Sequence, residues 1–176
     1  MGTSLAKQRV SKGVPRAAGP ARTAQRESPP IRTFSRSLPM ALLKAREAVM
    51  RPFRASLRKH NLTEQQWRVL RALDSVEEIK MTDLARQTFL HGPSLTRILR
   101  DLFARGLISR RTPAADLRFG LISISKEGLR VIRAHAPESE AIYAEITRRI
   151  GEQELTRIEE ILTRLERELS KEKIEP

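Results

Sequence analysis

A change of apolar periodicity at Gly106 constrains the fold more than any other feature of this sequence. Before Gly106, apolar residues recur every three or four positions, which is the spacing of one helical face. After it come two runs with the residue pattern of short strands, LISRR at 107–111 and RFGLISIS at 118–125. Between the runs, Pro113 and Asp116 provide turn residues. We therefore predict helices followed by a β-hairpin.

Two short helices precede this hairpin. Thr82 is placed as the N-cap of the first, over 82–89. The Gly92–Pro93 pair then breaks the chain, and its proline suits the first turn of a second helix over 93–105. The buried face of this second helix consists of Leu95, Leu99 and Leu102. Gly106 supplies the left-handed residue that ends it. Two helices joined in this way form a helix-turn-helix. The predicted fold class is therefore mainly α with a small β-wing, a winged helix-turn-helix.

A longer helix precedes this unit. It begins at Leu38, and Pro52 inside it is expected to kink or divide it. Its single apolar face consists of Leu38, Leu42, Ala45, Val49, Phe53 and Leu57. The following helix starts at a capping box formed by Thr63 and Gln66.

Two more helices follow the hairpin. Ser125 caps the first, which runs to about Arg149 and is expected to bend or break near Pro137. Gly151 separates it from the last helix. That helix has apolar residues at coiled-coil spacing, namely Leu155, Ile158, Leu162, Leu165 and Leu169. This stripe is too apolar to face water alone.

The net charge of +13 favours a polyanionic partner. Residues 1–37 contribute much of it, with eight Lys or Arg residues against one acid, Glu27. We interpret them as a disordered basic tail that adds nonspecific affinity for DNA. Two alternatives stay open. The composition is also that of a transit peptide, and the reading frame could be over-extended, since a start at Met40 would begin the chain almost at the fold.

The exposed side of the predicted second helix carries the side chains of a DNA-reading surface. Short hydroxyls allow close approach to a backbone, and arginine binds guanine or phosphate through two hydrogen bonds. A basic wing can enter the minor groove or hold phosphates, and Asp116 is placed to orient Arg118. The DNA-binding residues we predict are Thr82, Pro93, Ser94, Thr96, Arg97, Arg100, Arg110, Arg111, Asp116 and Arg118.

The stretch MTDLARQTFLHGPSLTRILRDLFARGLISRRTPAADLRFGLISISKEG resembles the MarR (multiple antibiotic resistance regulator) family over about residues 38–170. The Asp-x-Arg-Arg wing motif of the family corresponds to Asp116-Leu117-Arg118-Phe119, with Phe119 in place of the second arginine. The stretch ALLKAREAVMRPFRASLRKHNLTEQQWRVLRAL is similar to regulators of homoprotocatechuate degradation operons and of other aromatic and nicotinate catabolism.

The resemblance implies a homodimeric repressor that binds a pseudo-palindromic double-stranded DNA operator. The tail, 1–37, would precede a MarR-type domain over 38–176. In this domain a winged helix-turn-helix, about 62–125, lies between dimerisation helices at about 38–60 and 126–170. The dimerisation residues are Leu38, Leu42, Leu155, Ile158, Leu162, Leu165 and Leu169. Such a regulator is cytoplasmic and associated with the nucleoid.

The resemblance also implies a small aromatic acid as effector, bound between the dimerisation helices and the DNA-binding lobe. Such a ligand needs a cation for its carboxylate and a flat apolar wall for its ring. Arg46 corresponds to a carboxylate-binding arginine of some family members, and Trp67 offers the wall. Arg68 and His60 are further candidates for this site. Two alternatives stay open, namely that Trp67 belongs to the ordinary core and that His60 satisfies a helix end.

Other classes of function find less support. No cofactor is predicted, and the histidines His60, His91 and His135 are scattered without metal-ligand spacing, which argues against an enzyme. The absence of cysteine removes thiolate chemistry and is consistent with a reducing cytoplasm. The tail has few bulky apolar residues to insert into a membrane. A nonspecific architectural DNA-binding protein that uses the tail is the remaining alternative, and salt and competitor DNA would separate it from a specific regulator.

Overall fold

The structure is a computed structural model that describes residue 34 and residues 37–111 and 120–171. Within these ranges the chain forms six helices and three short strands. Their order is α1 (Leu38–Lys59), α2 (Glu64–Asp74), β1 (Ile79–Lys80), α3 (Met81–Thr88), α4 (Gly92–Ala104), β2 (Ile108–Arg111), β3 (Leu121–Ile124), α5 (Lys126–Ile150) and α6 (Glu152–Lys171). The mainly α fold with a small sheet is the one predicted. The predicted tail, except for Phe34 and Ser37, and the wing turn lie outside the described residues.

The sheet has the strand order β1-β3-β2 and is antiparallel throughout. Ile108 pairs with Ile124 and Arg110 with Ile122, so β2 and β3 form the predicted hairpin. On the other side of β3, Ile79 pairs with Ile122. The wing is therefore anchored to the chain segment directly before α3.

The core lies where α2, α3, α4 and the sheet meet. Its fully buried side chains include Leu57, Leu70, Leu73, Leu84, Leu95 and Leu102. The predicted buried face of α4 is confirmed, and Ile98 joins it. Burial of one leucine contributes about 1.5–3 kcal/mol, so this face holds α4 firmly and fixes which of its residues point outward.

Local signals set most helix ends as predicted. Ser125 accepts a hydrogen bond from the Gly128 backbone N–H at 3.0 Å and caps α5. Gly106 and Gly151 follow α4 and α5 with φ of +65° and +92°. The assignment of Thr82 as an N-cap is wrong, because α3 begins at Met81 and Thr82 lies inside it. The pairing of Lys80 with Leu121 keeps the chain extended up to Lys80, and the helix starts directly from the strand.

The two internal prolines do not divide their helices. α1 runs through Pro52, and α5 runs through Pro137 without interruption. A proline inside a helix costs about 3 kcal/mol through one lost hydrogen bond and a local clash. Packing between the two helices offsets this cost, as in the contact of the Phe53 and Tyr143 rings at 5.0 Å.

The apolar stripe of α6 lies at the surface. Within Glu152–Lys171 no residue is buried, and Ile158, Leu162 and Leu169 are 43–49% exposed. At the other end of the chain, Leu38 and Leu42 are also exposed. A single chain therefore leaves both predicted dimerisation faces uncovered. In the described part of the chain, no helix has both the length and the apolar character required to cross a membrane.

Replacement of Thr63 with alanine is expected to lower the free energy of unfolding by about 1 kcal/mol. The Thr63 hydroxyl accepts the Gln66 N–H at 3.2 Å, and the Gln66 side chain accepts the Thr63 N–H at 2.7 Å. The alanine variant leaves the Gln66 N–H without its acceptor, whereas the backbone N–H of residue 63 keeps the Gln66 side chain as its partner. Urea denaturation would measure the loss. Gln65→Ala, in the same exposed turn, is the matched control, and an equal effect of both variants would contradict the prediction.

Candidate nucleic-acid interface and adjoining cavity

The outer face of α4 presents the predicted DNA-reading side chains. Ser94, Thr96, Arg97 and Arg100 are all exposed, on the side opposite the buried leucines. Arg97 and Arg100 form no hydrogen bond or ion pair with another residue that the structure describes. Pro93 lies in the first turn of the helix, as expected. Two guanidinium groups that have no partner within the described ranges and share one exposed helix face are available to a DNA major groove.

A cleft of about 550 Å³ separates α4 from the wing. It brings together four of the predicted DNA-binding residues, Thr82, Thr96, Arg100 and Arg110. Its floor is apolar and includes Leu99, Phe103 and Ile122, so the basic groups are at the rim. The arginines of helix and wing thus lie on the same surface, which suits simultaneous contact with a groove and the adjacent phosphates.

The wing arginines have different surroundings. Arg110 lies against Gly120 so closely that a side chain at Gly120 would collide with its guanidinium group. Arg111 is held by Glu78 through two hydrogen bonds, Nε–Oε1 at 2.9 Å and Nη2–Oε2 at 2.6 Å. These hydrogen bonds lower the pKa of the Glu78 carboxyl below its usual value. Contact of Arg111 with DNA would have to compete with Glu78. Asp116 and Arg118 lie outside the described residues.

A second cavity, of about 510 Å³, lies between α1, α2, α5 and the end of α3. Three of the predicted ligand-binding residues line it, Arg46, Trp67 and Arg68. His60, the fourth, is not among the described residues that line it. Sequence reasoning missed several lining residues, among them Phe53, Arg71, Phe89 and Tyr143. Arg71 follows Trp67 by one helical turn on the same face, which is the signal that could have identified it.

One carboxylate organises the charge of this cavity. Glu64 binds Arg46, and it also accepts hydrogen bonds from Arg54 Nε at 2.9 Å and Arg68 Nη2 at 2.9 Å. Its side chain is only 10% exposed. Arg68 also donates from Nη1 to the Thr88 carbonyl oxygen at 3.0 Å. Glu47 also accepts hydrogen bonds from Arg46 and Arg54, so three arginines face two carboxylates and the cluster keeps one net positive charge, which favours an anionic guest.

The hydrogen bond from Arg68 to Thr88 leads to a strained turn at Phe89. Phe89 follows Thr88 directly, has φ of +52°, and is 82% exposed at the rim of the cavity. A left-handed φ is unfavourable for an aromatic residue and costs on the order of 1–3 kcal/mol. Phe89 caps the C-terminus of α3, and two residues separate it from α4, so the cavity reaches the turn of the helix-turn-helix.

The structure places His60 beside His135 rather than in the cavity. The two rings are 5.2 Å apart, and the His135 ring stands edge-on to Trp67 at 4.6 Å. Glu138 lies beside them, with its Oε1 3.7 Å from His60 Nε2. The interpretation of the histidines as scattered is therefore wrong for two of the three. Only packing of the end of α1 against α5 brings them together, and no local spacing signals it.

A helix-turn-helix with exposed arginines, followed by a wing, defines a winged-helix DNA-binding protein. A model of the MarR family matches residues 60–118. The homoprotocatechuate degradative operon repressor of Escherichia coli is 37% identical over 126 residues, which are 72% of this chain and 85% of that protein. The chain therefore belongs to the MarR family, and it is a DNA-binding transcriptional regulator.

Two further relatives agree with this assignment. The HTH-type transcriptional regulator FarR of Neisseria gonorrhoeae is 32% identical over 136 residues, 77% of this chain and 93% of FarR. The crystal structure of NadR in complex with 4-hydroxyphenylacetate is 32% identical and has a TM-score of 0.67, with 83% of this chain and 99% of the NadR chain covered.

Proposed function

We propose that this regulator is a homodimeric repressor that binds a pseudo-palindromic operator and is released by a small aromatic carboxylate. The observation that carries the proposal is the cavity at the junction of α1, α2 and α5, with Trp67 as a flat wall and arginines around it. An aromatic acid needs these two features. Support also comes from two relatives, one a repressor of an aromatic degradation operon and one solved with a hydroxyphenylacetate.

The dimer is inferred from the uncovered apolar faces of α1 and α6. Two copies that pair these faces around a two-fold axis would place two α4 helices in successive major grooves. A palindromic operator with half-sites about one helical turn apart follows from that symmetry.

Release by a ligand follows from the position of Glu64. A carboxylate that enters the cavity competes with Glu64 for Arg46 and Arg68. Since Arg68 also holds the last carbonyl of α3, occupancy of the cavity changes the support of the turn before α4. A ligand that prefers the rearranged turn shifts the population away from the DNA-binding form.

A binding titration tests the proposal. The full-length protein is titrated with the DNA upstream of its own gene and neighbouring operon, in the presence of scrambled competitor DNA. Hydroxyphenylacetates and 6-hydroxynicotinate are then added one at a time. Competitor-resistant binding that one acid releases is the expected result. Equal affinity for scrambled DNA, unaffected by any acid, would instead support a nonspecific architectural protein.

The variant Arg46→Gln is expected to need about tenfold or more of the releasing acid for half-release, because a hydrogen bond between charged groups is worth about 1.5–3 kcal/mol. Operator affinity without acid should stay within about twofold, since Glu64 keeps Arg54 and Arg68. Lys44→Gln removes the same charge from the exposed side of α1 and is the matched control. An unchanged acid response of Arg46→Gln would remove Arg46 from the ligand site.

A further inference from the structure

Three side chains that ligate metals meet next to Trp67, where the end of α1 packs against α5. One imidazole nitrogen each of His60 and His135 and one carboxylate oxygen of Glu138 lie within 4.8 Å of one another. Two imidazoles and one carboxylate are a common ligand set for Zn²⁺. We propose that His60, His135 and Glu138 bind a transition-metal dication of the zinc type. None of the three is among the residues that line the second cavity, the one that Arg46, Trp67 and Arg68 line, and the inference does not depend on an aromatic effector.

The spacing of the facing atoms suits a shared cation better than a direct hydrogen bond. His60 Nε2 and Glu138 Oε1 are 3.7 Å apart, which is too long for a hydrogen bond. Zinc bonds of about 2.0–2.2 Å in a tetrahedron hold two ligand atoms about 3.3–3.5 Å apart. Small side-chain rotations would therefore bring these two atoms to the required distance.

The second carboxylate oxygen of Glu138 is already occupied. Its Oε2 accepts hydrogen bonds from the Ser56 hydroxyl and, at 3.0 Å, from Lys59 Nζ. The Ser56 oxygen also lies 3.3 Å from His135 Nδ1. These contacts orient the carboxylate with Oε1 toward His60. Hydrogen bonds from outside the ligand set commonly position metal ligands in this way.

Both imidazoles carry a buried nitrogen in need of a partner. Among the described residues, His60 Nε2 and His135 Nε2 have no hydrogen-bond partner. His135 is completely buried, and a buried polar atom left unpaired costs about 1–3 kcal/mol. A metal ion bound through these two nitrogens would supply the missing partner.

The position of the site links two parts of the fold. His60 caps the C-terminus of α1 just before α2, whereas His135 and Glu138 lie on α5. A cation bound by all three would join α5 to the beginning of the DNA-binding lobe. Three protein ligands leave a fourth tetrahedral position for water.

Titration with Co²⁺ tests the site in the full-length chain, free of any histidine tag and treated with a chelator. We expect one ion per chain, the visible absorption of tetrahedral Co²⁺, and quenching of Trp67, the single tryptophan of the chain. Zn²⁺ should displace the Co²⁺. Glu138→Gln and His135→Ala should each weaken binding by about tenfold or more. His91→Ala, which removes an exposed histidine at the start of α4, is the matched control and should bind as the wild type does.

Any of three results would overturn the proposal. One is the absence of saturable binding to the wild-type chain, which would leave the two histidines as part of an aromatic cluster with Trp67. Another is wild-type affinity and stoichiometry in Glu138→Gln. This variant preserves the size of a half-buried side chain, so it decides the question even if the buried His135→Ala does not fold. The third, equal loss in His91→Ala, would show adventitious surface binding and would also contradict the site.

Discussion

Replacement of Leu162 with glutamate is expected to convert the homodimer proposed above into monomers that no longer bind the operator tightly. Leu162 lies in the middle of the α6 stripe and is 43% exposed in a single chain. In a two-fold dimer each chain would bury one unpaired carboxylate, at a cost of several kcal/mol per charge. Since 1.4 kcal/mol corresponds to a factor of ten, the dissociation constant of the dimer should rise by about a thousandfold or more.

Light scattering and analytical ultracentrifugation over a range of concentrations would measure this change. The matched control is Thr163→Glu, which adds the same charge at the neighbouring position, off the apolar stripe. It should remain dimeric. A Leu162→Glu variant that is still dimeric at low concentration would show that α6 packs elsewhere.

Removal of the α4 arginines is the second large effect that we expect. Arg97→Ala and Arg100→Ala should each weaken operator binding by about 1–3 kcal/mol if the residue reads a base, which is roughly 5- to 150-fold. Each variant should also lose part of its preference for the operator over scrambled DNA. The physical reason is that both guanidinium groups are exposed on α4 and have no ion pair with any residue in the described ranges.

Fluorescence anisotropy with operator and scrambled duplexes at a fixed salt concentration would measure both quantities. Arg157→Ala, on the exposed side of α6, removes the same charge far from α4 in the sequence and serves as the control. Wild-type binding in both α4 variants would remove this helix from the DNA-reading surface. A uniform loss on all sequences would instead assign the arginines to phosphate contacts.

Much of the fold could be predicted because its signals are local. The change of period at Gly106 predicts the hairpin, and the side chains of Thr63 and Ser125 define helix starts through their own hydrogen bonds. The errors have a different origin. Strand pairing at Lys80 displaces the start of α3. At Pro52 and Pro137 either a bend or a break was expected, and packing between α1 and α5 excludes the break.

The residues of the candidate sites likewise divide into those that a local pattern predicts and those that depend on packing between helices. The outward face of α4 follows from its buried leucines, so its arginines could be predicted. The partners of Glu64 and the meeting of His60 with His135 depend on how distant helices pack. Periodicity within one helix carries no information on such contacts. Tyr143 of α5 joins the cavity for the same reason, whereas Arg71 could have been predicted from its position one helical turn after Trp67.

Arg68 donates one hydrogen bond to Glu64 in the cavity and another to the Thr88 carbonyl oxygen in the last turn of α3. This double role limits how the protein can evolve. If the cavity binds the effector proposed above, a substitution of Arg68 that adapts the cavity to a new acid also alters the support of the turn before α4. Ligand preference and the affinity for DNA without ligand would then change together. Substitutions at Val49 or Met50, which also line the cavity, would leave the two hydrogen bonds of Arg68 in place.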